Sequence, residues 1–363
     1  MRRSASILSR FALLLALPAG LAAAAAQAAP PRAPERLGTD VARSVAARAL
    51  DLVDSRALPA GDRKAQDRAR QALAAYLAQP GDSVERAALL ARIQAVLATI
   101  DDGNHSYVFA PQATQRMQQV MPQASVHRAS LRIEETSAGA VLHWTPPQTM
   151  RTEPDTVVRF MRDFLQEARD HAGLERACAL VVDLGAQRGG NAWPPLTAMM
   201  PLLGPGNTAA FVDRQGSRTA LVSPSHLAKE LREQQRVGTP LLRFAGQPVA
   251  VVLDRTTSSA GEMLAIALLG EGERIRTFGY TTDGRTSANM THVLPDGSLL
   301  VLTERRYAVG ATPVRGGIAP QEPAREGEDR GALVRRAAEW AAGRSPLCRP
   351  ATQPGPAQAA RAT

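Results

Sequence analysis

Two serines, Ser258 and Ser259, stand side by side in "VAVVLDRTTSSAGEMLAIAL", between one apolar run and another. The first run reads as a buried strand and the second as a helix, so the serines occupy a strand-to-helix turn. Two roles suit that position. Ser259-Ala260-Gly261-Glu262 fits a capping box, in which the serine caps the helix and the glutamate reaches back. Alternatively one serine is a nucleophile, because such a turn sets a hydroxyl beside the N–H groups of a helix start, which can bind an oxyanion. A helix needs only one cap, so the second serine keeps both readings open. Gly261 is expected to let a substrate backbone come close.

A nucleophilic hydroxyl needs a base. Lysine occurs only as Lys64 and Lys229, and no lysine stands at S-x-x-K spacing from the turn. Of six histidines, His127 and His143 fall in a hairpin region, His171 at a helix end, His226 in a polar insertion and His292 on a strand. His105 lies in "DDGNHSYVF", a loop whose polar residues have no evident packing role. A second loop, "VVDLGAQRGGNAW", carries Gly189-Gly190 just after a buried strand, where glycine can turn backbone N–H groups toward a ligand. No two histidines have metal-ligand spacing, so neither a metal nor another cofactor is expected.

The elements around these loops set the architecture. "TDVARSVAARALDLVDS", opened by a Thr39-Asp40 cap and carrying Val41, Val45, Ala49 and Leu52 at helical spacing, begins a run of three helical patterns. These define a small helical subdomain over residues 29–100. Residues 101–150 hold the histidine loop and a β-hairpin turning at Gly139. From residue 151 to 345, strands such as "ACALVVDLG" and "QPVAVVLD" alternate with helices, and a hairpin turns at Pro295-Asp296-Gly297. Strand-helix alternation with continuously apolar strands predicts an α/β core whose sheet is covered on both faces. Residues 346–363 read as a disordered Pro/Ala/Gln tail.

The N-terminus reads as a secretory leader over residues 1–28, with basic Arg2, Arg3 and Arg10, a short apolar core and a small-residue site at Ala26-Gln27-Ala28. A periplasmic or secreted protein without a membrane span is therefore expected. Its net charge of +9 is spread in alternating signs, and aromatics make up only 4%, which excludes a stacking platform for nucleic acid. Cys178 and Cys348 are the only cysteines, and spacing does not choose between a disulfide and two thiols.

Five segments in this order, "DDGNHSYV", "VVDLGAQRGGNAWP", "VAVVLDRTTSSAGEMLAIAL", "RTFGYTTDGRTSAN" and "PDGSLLVLT…RGGIAP", resemble the C-terminal-processing (tail-specific) serine peptidases. The resemblance runs from about Asp101 to Pro320 and implies a crotonase/Clp-protease-like spiral core acting on a peptide or protein substrate. It makes Ser259 the nucleophile, with Ser258 as its neighbour, and Ala260 with Gly189 or Gly190 the oxyanion hole. Many members use a lysine where this chain has Tyr280, so the chain is similar to the branch resembling the tricorn protease core, which implies His105 as base. The chain departs from the family pattern at Gly185 and Gln187 in the glycine loop, at Asn104, and at Gln321. It also has no evident acid for His105, for which Asp283 and Glu322 are the candidates. A PDZ module, at roughly 80 to 100 residues, does not fit between His105 and Pro154. A catalytically inactive relative binding peptide or apolar ligand in the same cleft is the alternative. An α/β-hydrolase is disfavoured, because Thr257 replaces the first glycine of G-x-S-x-G.

Overall fold

The computed structural model describes residues 35–101, 105–113, 130–150, 155–222 and 240–348. The expected leader, Lys229, His127 and His226 lie outside the described residues, as does the tail beyond Cys348.

The chain begins with β1 (Arg36–Gly38), α1 (Thr39–Arg56), α2 (Arg63–Leu77), β2 (Ser83–Glu85) and α3 (Arg86–Leu97), with β1 antiparallel to β2. The start of α1 differs from the expected cap. Gly38 is the capping residue, and Thr39 Oγ1 instead donates to the Gly81 carbonyl at 2.8 Å. Val41 points to solvent, because the buried stripe of α1 runs through Ala42, Val45, Ala46, Ala49, Leu52 and Val53. Asp62 caps α2 by accepting from the Ala65 N–H. These helices pack together and on Leu294, Leu300 and Leu302, so the helical unit shares its core with a β-hairpin from the far end of the chain.

After β3 (Tyr107–Phe109), β4 (Ser130–Thr136) and β5 (Gly139–Thr145) form the first hairpin, with Gly139 at φ +136°. Then follow α4 (Thr156–Asp170), β6 (Ala179–Asp183), α5 (Trp193–Met199), β7 (Ala209–Asp213), β8 (Arg218–Ala220), β9 (Val249–Leu253) and α6 (Ala260–Leu269). The remainder is β10 (Ile275–Gly279), β11 (Ser287–Val293), β12 (Leu299–Val309), β13 (Thr312–Pro313), β14 (Glu322–Pro323) and α7 (Arg330–Arg344).

Two six-stranded sheets result. The first runs β14-β10-β9-β6-β5-β4, parallel except for β4 at its edge. Its alternate residues face opposite layers: Leu180, Val182, Val249 and Val251 pack toward α4, α5 and α6, while Val181, Ala250, Val252 and Phe278 pack under α7. Both faces being covered is why these strands read as unbroken apolar runs. The second sheet is antiparallel, β11-β12-β7-β8, with β3 and β13 also paired to β12.

Cys178, before β6, and Cys348, after α7, form a disulfide. A Cβ on Gly139 would lie 2.7 Å from the Cys178 sulfur, so that turn needs glycine for space as well as for its φ. Pro346–Cys348, expected within a disordered tail, form a short 3₁₀ turn held by this bridge. Among the described residues no helix is long and apolar enough to cross a membrane.

Candidate active site

The serine turn is built almost wholly from backbone contacts. After β9, Thr257 closes a turn by donating its N–H to the Asp254 carbonyl at 3.0 Å and its hydroxyl to Leu184 O at 3.0 Å. The Ser258 N–H donates to Gln187 O at 2.9 Å, which binds the turn to the glycine loop. Ser259 follows at φ +50°, ψ −105°. Among the described non-glycine residues only Ser259 and Asp101 have positive φ, a conformation that costs energy and persists only where surroundings impose it.

Glu262 imposes it here. Ser259 and Glu262 form the capping box, with the Ser259 N–H donating to Glu262 Oε2 at 2.9 Å. The other carboxylate oxygen accepts from Thr282 Oγ1 at 2.5 Å and from the Gly284 N–H at 2.8 Å. Glu262 is fully buried, and desolvation pushes its carboxyl above the usual range against these bonds. The capping reading of S-x-x-E is thus realised: the box caps α6, and in doing so holds Ser259 in its strained position.

The glycine loop meets the serine directly. Gly189 and Gly190 have φ of +117° and +105°. A Cβ on Gly189 would lie 3.4 Å from Ser259 Cβ and 3.9 Å from its Oγ. Gly190 faces elsewhere, since a Cβ there would sit 2.4 Å from the Thr149 carbonyl. Ala260, the first residue of α6, has no intrahelical acceptor for its N–H. Gly261 serves the chain's own packing instead of a substrate's: a Cβ would sit 2.5 Å from Gln187 O. The two departures in the glycine loop are also accounted for. Gly185 leaves room for the Arg330 guanidinium, which grips Asp183 at 2.7 Å, and buried Gln187 binds the Pro146 carbonyl.

His105 is held by the second sheet. Its imidazole is buried, with Nδ1 2.8 Å from Ser287 Oγ, and its carbonyl accepts from Asn289 Nδ2 at 2.8 Å. The next residue, Ser106, bonds Thr303 through its hydroxyl at 2.9 Å, and Thr303 Oγ1 donates to Asn289 Oδ1. Ahead of the loop, Asp101 pairs with buried Arg306. Burial lowers the His105 pKa to about 4; the Arg285 charge adds to this and the Asp283 charge opposes it.

Asp283 lies between the two halves. Its Oδ2 accepts from Ser258 Oγ at 2.7 Å and is 3.3 Å from Arg285 Nε. Its charge reaches His105, but the ring's Nδ1 is bonded to Ser287. Glu322, the other candidate acid, is on β14 at the edge of the parallel sheet, 3.9 Å from Arg276 and from Arg336. The alternative bases are engaged elsewhere. Lys64 lies in the first turn of α2, His292 bonds Glu304 at 2.7 Å, and His143 lies between Arg132 and Glu134 on the first sheet. Tyr280, at the family's lysine position, has its ring under the Arg255 guanidinium. The sequence singles out Ser259 and His105 as candidates but gives no sign of the contacts of Ser287 and Asn289 with His105, or of the reach of Glu262 to Thr282 and Gly284. Only "TTDGRTSAN", quoted for its resemblance, pointed to that segment.

A strained serine at a strand-to-helix turn, with a glycine loop packed against it, is a geometry that serine hydrolases use. Residues 148–321 match the model of peptidase family S41. The match takes in the glycine loop, Ser259 and Asp283, while His105 lies ahead of it. The fold is shared with a lipoprotein from Streptococcus agalactiae (18% identity, TM-score 0.65, covering 88% of this chain and 99% of that one). It is shared also with the photosystem II D1 C-terminal processing protease (14% identity, TM-score 0.55, covering 83% and 98%). A nisin-resistance protein of Lactococcus lactis subsp. lactis is 28% identical over 130 residues, and the match spans 34% of this chain and 38% of that protein.

Proposed function

We propose that this chain is an exported serine endopeptidase of the C-terminal-processing type, with Ser259 as nucleophile and His105 as general base. The observation that carries the reading is Ser259 itself: a non-glycine residue at φ +50°, locked by Glu262, with its hydroxyl beside Gly189. In the first step His105 takes the Ser259 hydroxyl proton as Oγ bonds to the carbonyl carbon of the substrate. The N–H groups of Gly189 and Ala260 bind the oxyanion. Collapse breaks the C–N bond, and the amine leaves with the proton from His105. Water then attacks the acyl ester, giving its proton to His105, and the new carboxyl product departs as Ser259 regains its hydrogen. The lowered pKa leaves the ring neutral at pH 7, the form that accepts a proton, and makes it a weaker base than an ordinary histidine. Export is supported by the likeness to a lipoprotein and to a nisin-resistance protein, and by the disulfide, a bond of oxidising compartments.

Incubation of the full chain with a diverse peptide mixture, read by mass spectrometry, tests this. New termini are expected with the wild type, and Ser259→Ala is expected to lose about 10⁴-fold or more in rate. Equal cleavage by the variant would refute the assignment.

A further inference from the structure

The partner of Nδ1 decides which tautomer an imidazole holds, and so whether Nε2 has a lone pair to offer. A carboxylate was the expected partner for His105. Asp283, the nearest candidate, already accepts from Ser258 at 2.7 Å and faces Arg285 at 3.3 Å. Nδ1 lies instead 2.8 Å from Ser287 Oγ, and both residues are buried, at 8% and 3% exposure. Ser287 opens β11, and Asn289, two residues on, holds the His105 carbonyl. One strand therefore grips both the ring and the backbone of the histidine.

We propose that Ser287 is the positioning residue of His105: its hydroxyl oxygen accepts the Nδ1–H and fixes the tautomer whose lone pair is on Nε2. The inference rests on the reading of His105 as the base of the site. It makes this a histidine oriented by a neutral oxygen in place of an acid. A neutral acceptor lends an imidazolium no opposite charge, so the ring stays neutral further into acid than a carboxylate-held histidine. The charged groups acting on the ring agree with this, since Arg285 disfavours protonation more than Asp283 favours it, and burial acts with Arg285.

Long-range ¹H–¹⁵N spectra of the full chain labelled at histidine test the assignment, with His105→Gln identifying the signal among six histidines. In the wild type, Nδ1 is expected to carry the proton, and the ring to stay neutral to about pH 4. Ser287→Ala is expected to give mixed tautomers and to lower kcat roughly ten- to hundred-fold with KM little changed. Ser287→Thr, which keeps the hydroxyl, is expected to preserve the tautomer. Ser287→Asp is expected to preserve it too while raising the ring's titration, and the acid limb of kcat/KM, by about one pH unit or more. A wild-type ring protonated on Nε2 would overturn the proposal. So would a Ser287→Ala variant with an unchanged tautomer, or a Ser287→Asp variant with an unmoved titration. If Ser287→Ala does not fold, the wild-type, Ser287→Thr and Ser287→Asp spectra still decide. The expected tautomer in a chain that cleaves no peptide would uphold Ser287 and remove the peptidase reading; cleavage with the opposite tautomer would do the reverse.

Discussion

The serine turn and the histidine loop, the two halves of the proposed site, are held by different means. Ser259 sits where a parallel strand becomes a helix, fixed by the backbone of β9, α6 and the glycine loop and by the buried Glu262. His105 hangs from an antiparallel sheet by side chains, with Ser287 on its ring, Asn289 on its carbonyl and Thr303 on its neighbour. The first half is stiff because main-chain groups and one buried carboxylate define it together. The second is adjustable, since each of its contacts can be removed one at a time without breaking a ladder.

Replacing Glu262 should produce the largest change and should fall on the serine half. Glu262→Ala strands the donors of Ser259, Gly284 and buried Thr282, and is expected to cost about 3 kcal/mol in urea unfolding along with nearly all activity. A fully active, equally stable variant would show that the turn is held by the backbone alone.

Acid should act next, and through the imidazoles. His105 and His143 are both lowered to about 4, mainly by burial, from an ordinary value of 6.5. Each ring therefore binds a proton more readily unfolded than folded. Stability is present above about pH 6.5 and drains as pH falls toward 4, by up to about 3 kcal/mol per ring. Glu262, pushed upward by burial, works in the opposite direction, so the comparison is made between variants. His105→Gln is expected to flatten the fall in unfolding free energy between neutral and acid pH. An unchanged slope would mean that the loop already opens in acid.

The smallest effect belongs to the backbone grip on the histidine. Asn289→Ala removes its bond to the His105 carbonyl and its bond from Thr303, and is expected to cost about 1 kcal/mol. Its kcat should drop while the fluorescence spectrum stays that of the wild type and the urea midpoint falls by no more than that loss implies. A loss as large as that from Glu262→Ala would erase the distinction between the two halves.

The same contrast explains what could be read from the sequence. Strand, turn and helix around Ser259 are contiguous, and their apolar runs, S-x-x-E pattern and turn residues all report local forces. Gly189 was visible for the same reason, since a glycine pair after a buried strand advertises a tight turn. His105 was visible only as a histidine with nothing to do, and its contacts come from residues about 180 positions away. Ser287 and Asn289 carry no signal of their own, because serine and asparagine at a strand start are ordinary. The partners of the two candidate acids were illegible for a related reason, because pairing is set by the sheets: β14 carries Glu322 to Arg276 and Arg336, while Asp283 accepts from Ser258. The shared core between the N-terminal helices and the β11–β12 hairpin was equally silent, being a contact between distant apolar stripes.

The central claim is that Ser259, and neither of the serines near it, is the activated nucleophile. The most direct measurement is labelling of the purified full chain with a fluorophosphonate probe, followed by mass mapping of the modified peptide. An adduct on Ser259 that is lost in both Ser259→Ala and His105→Ala is the expected result. An adduct on Ser258 or Ser287, or a folded wild type that takes no label, would contradict it.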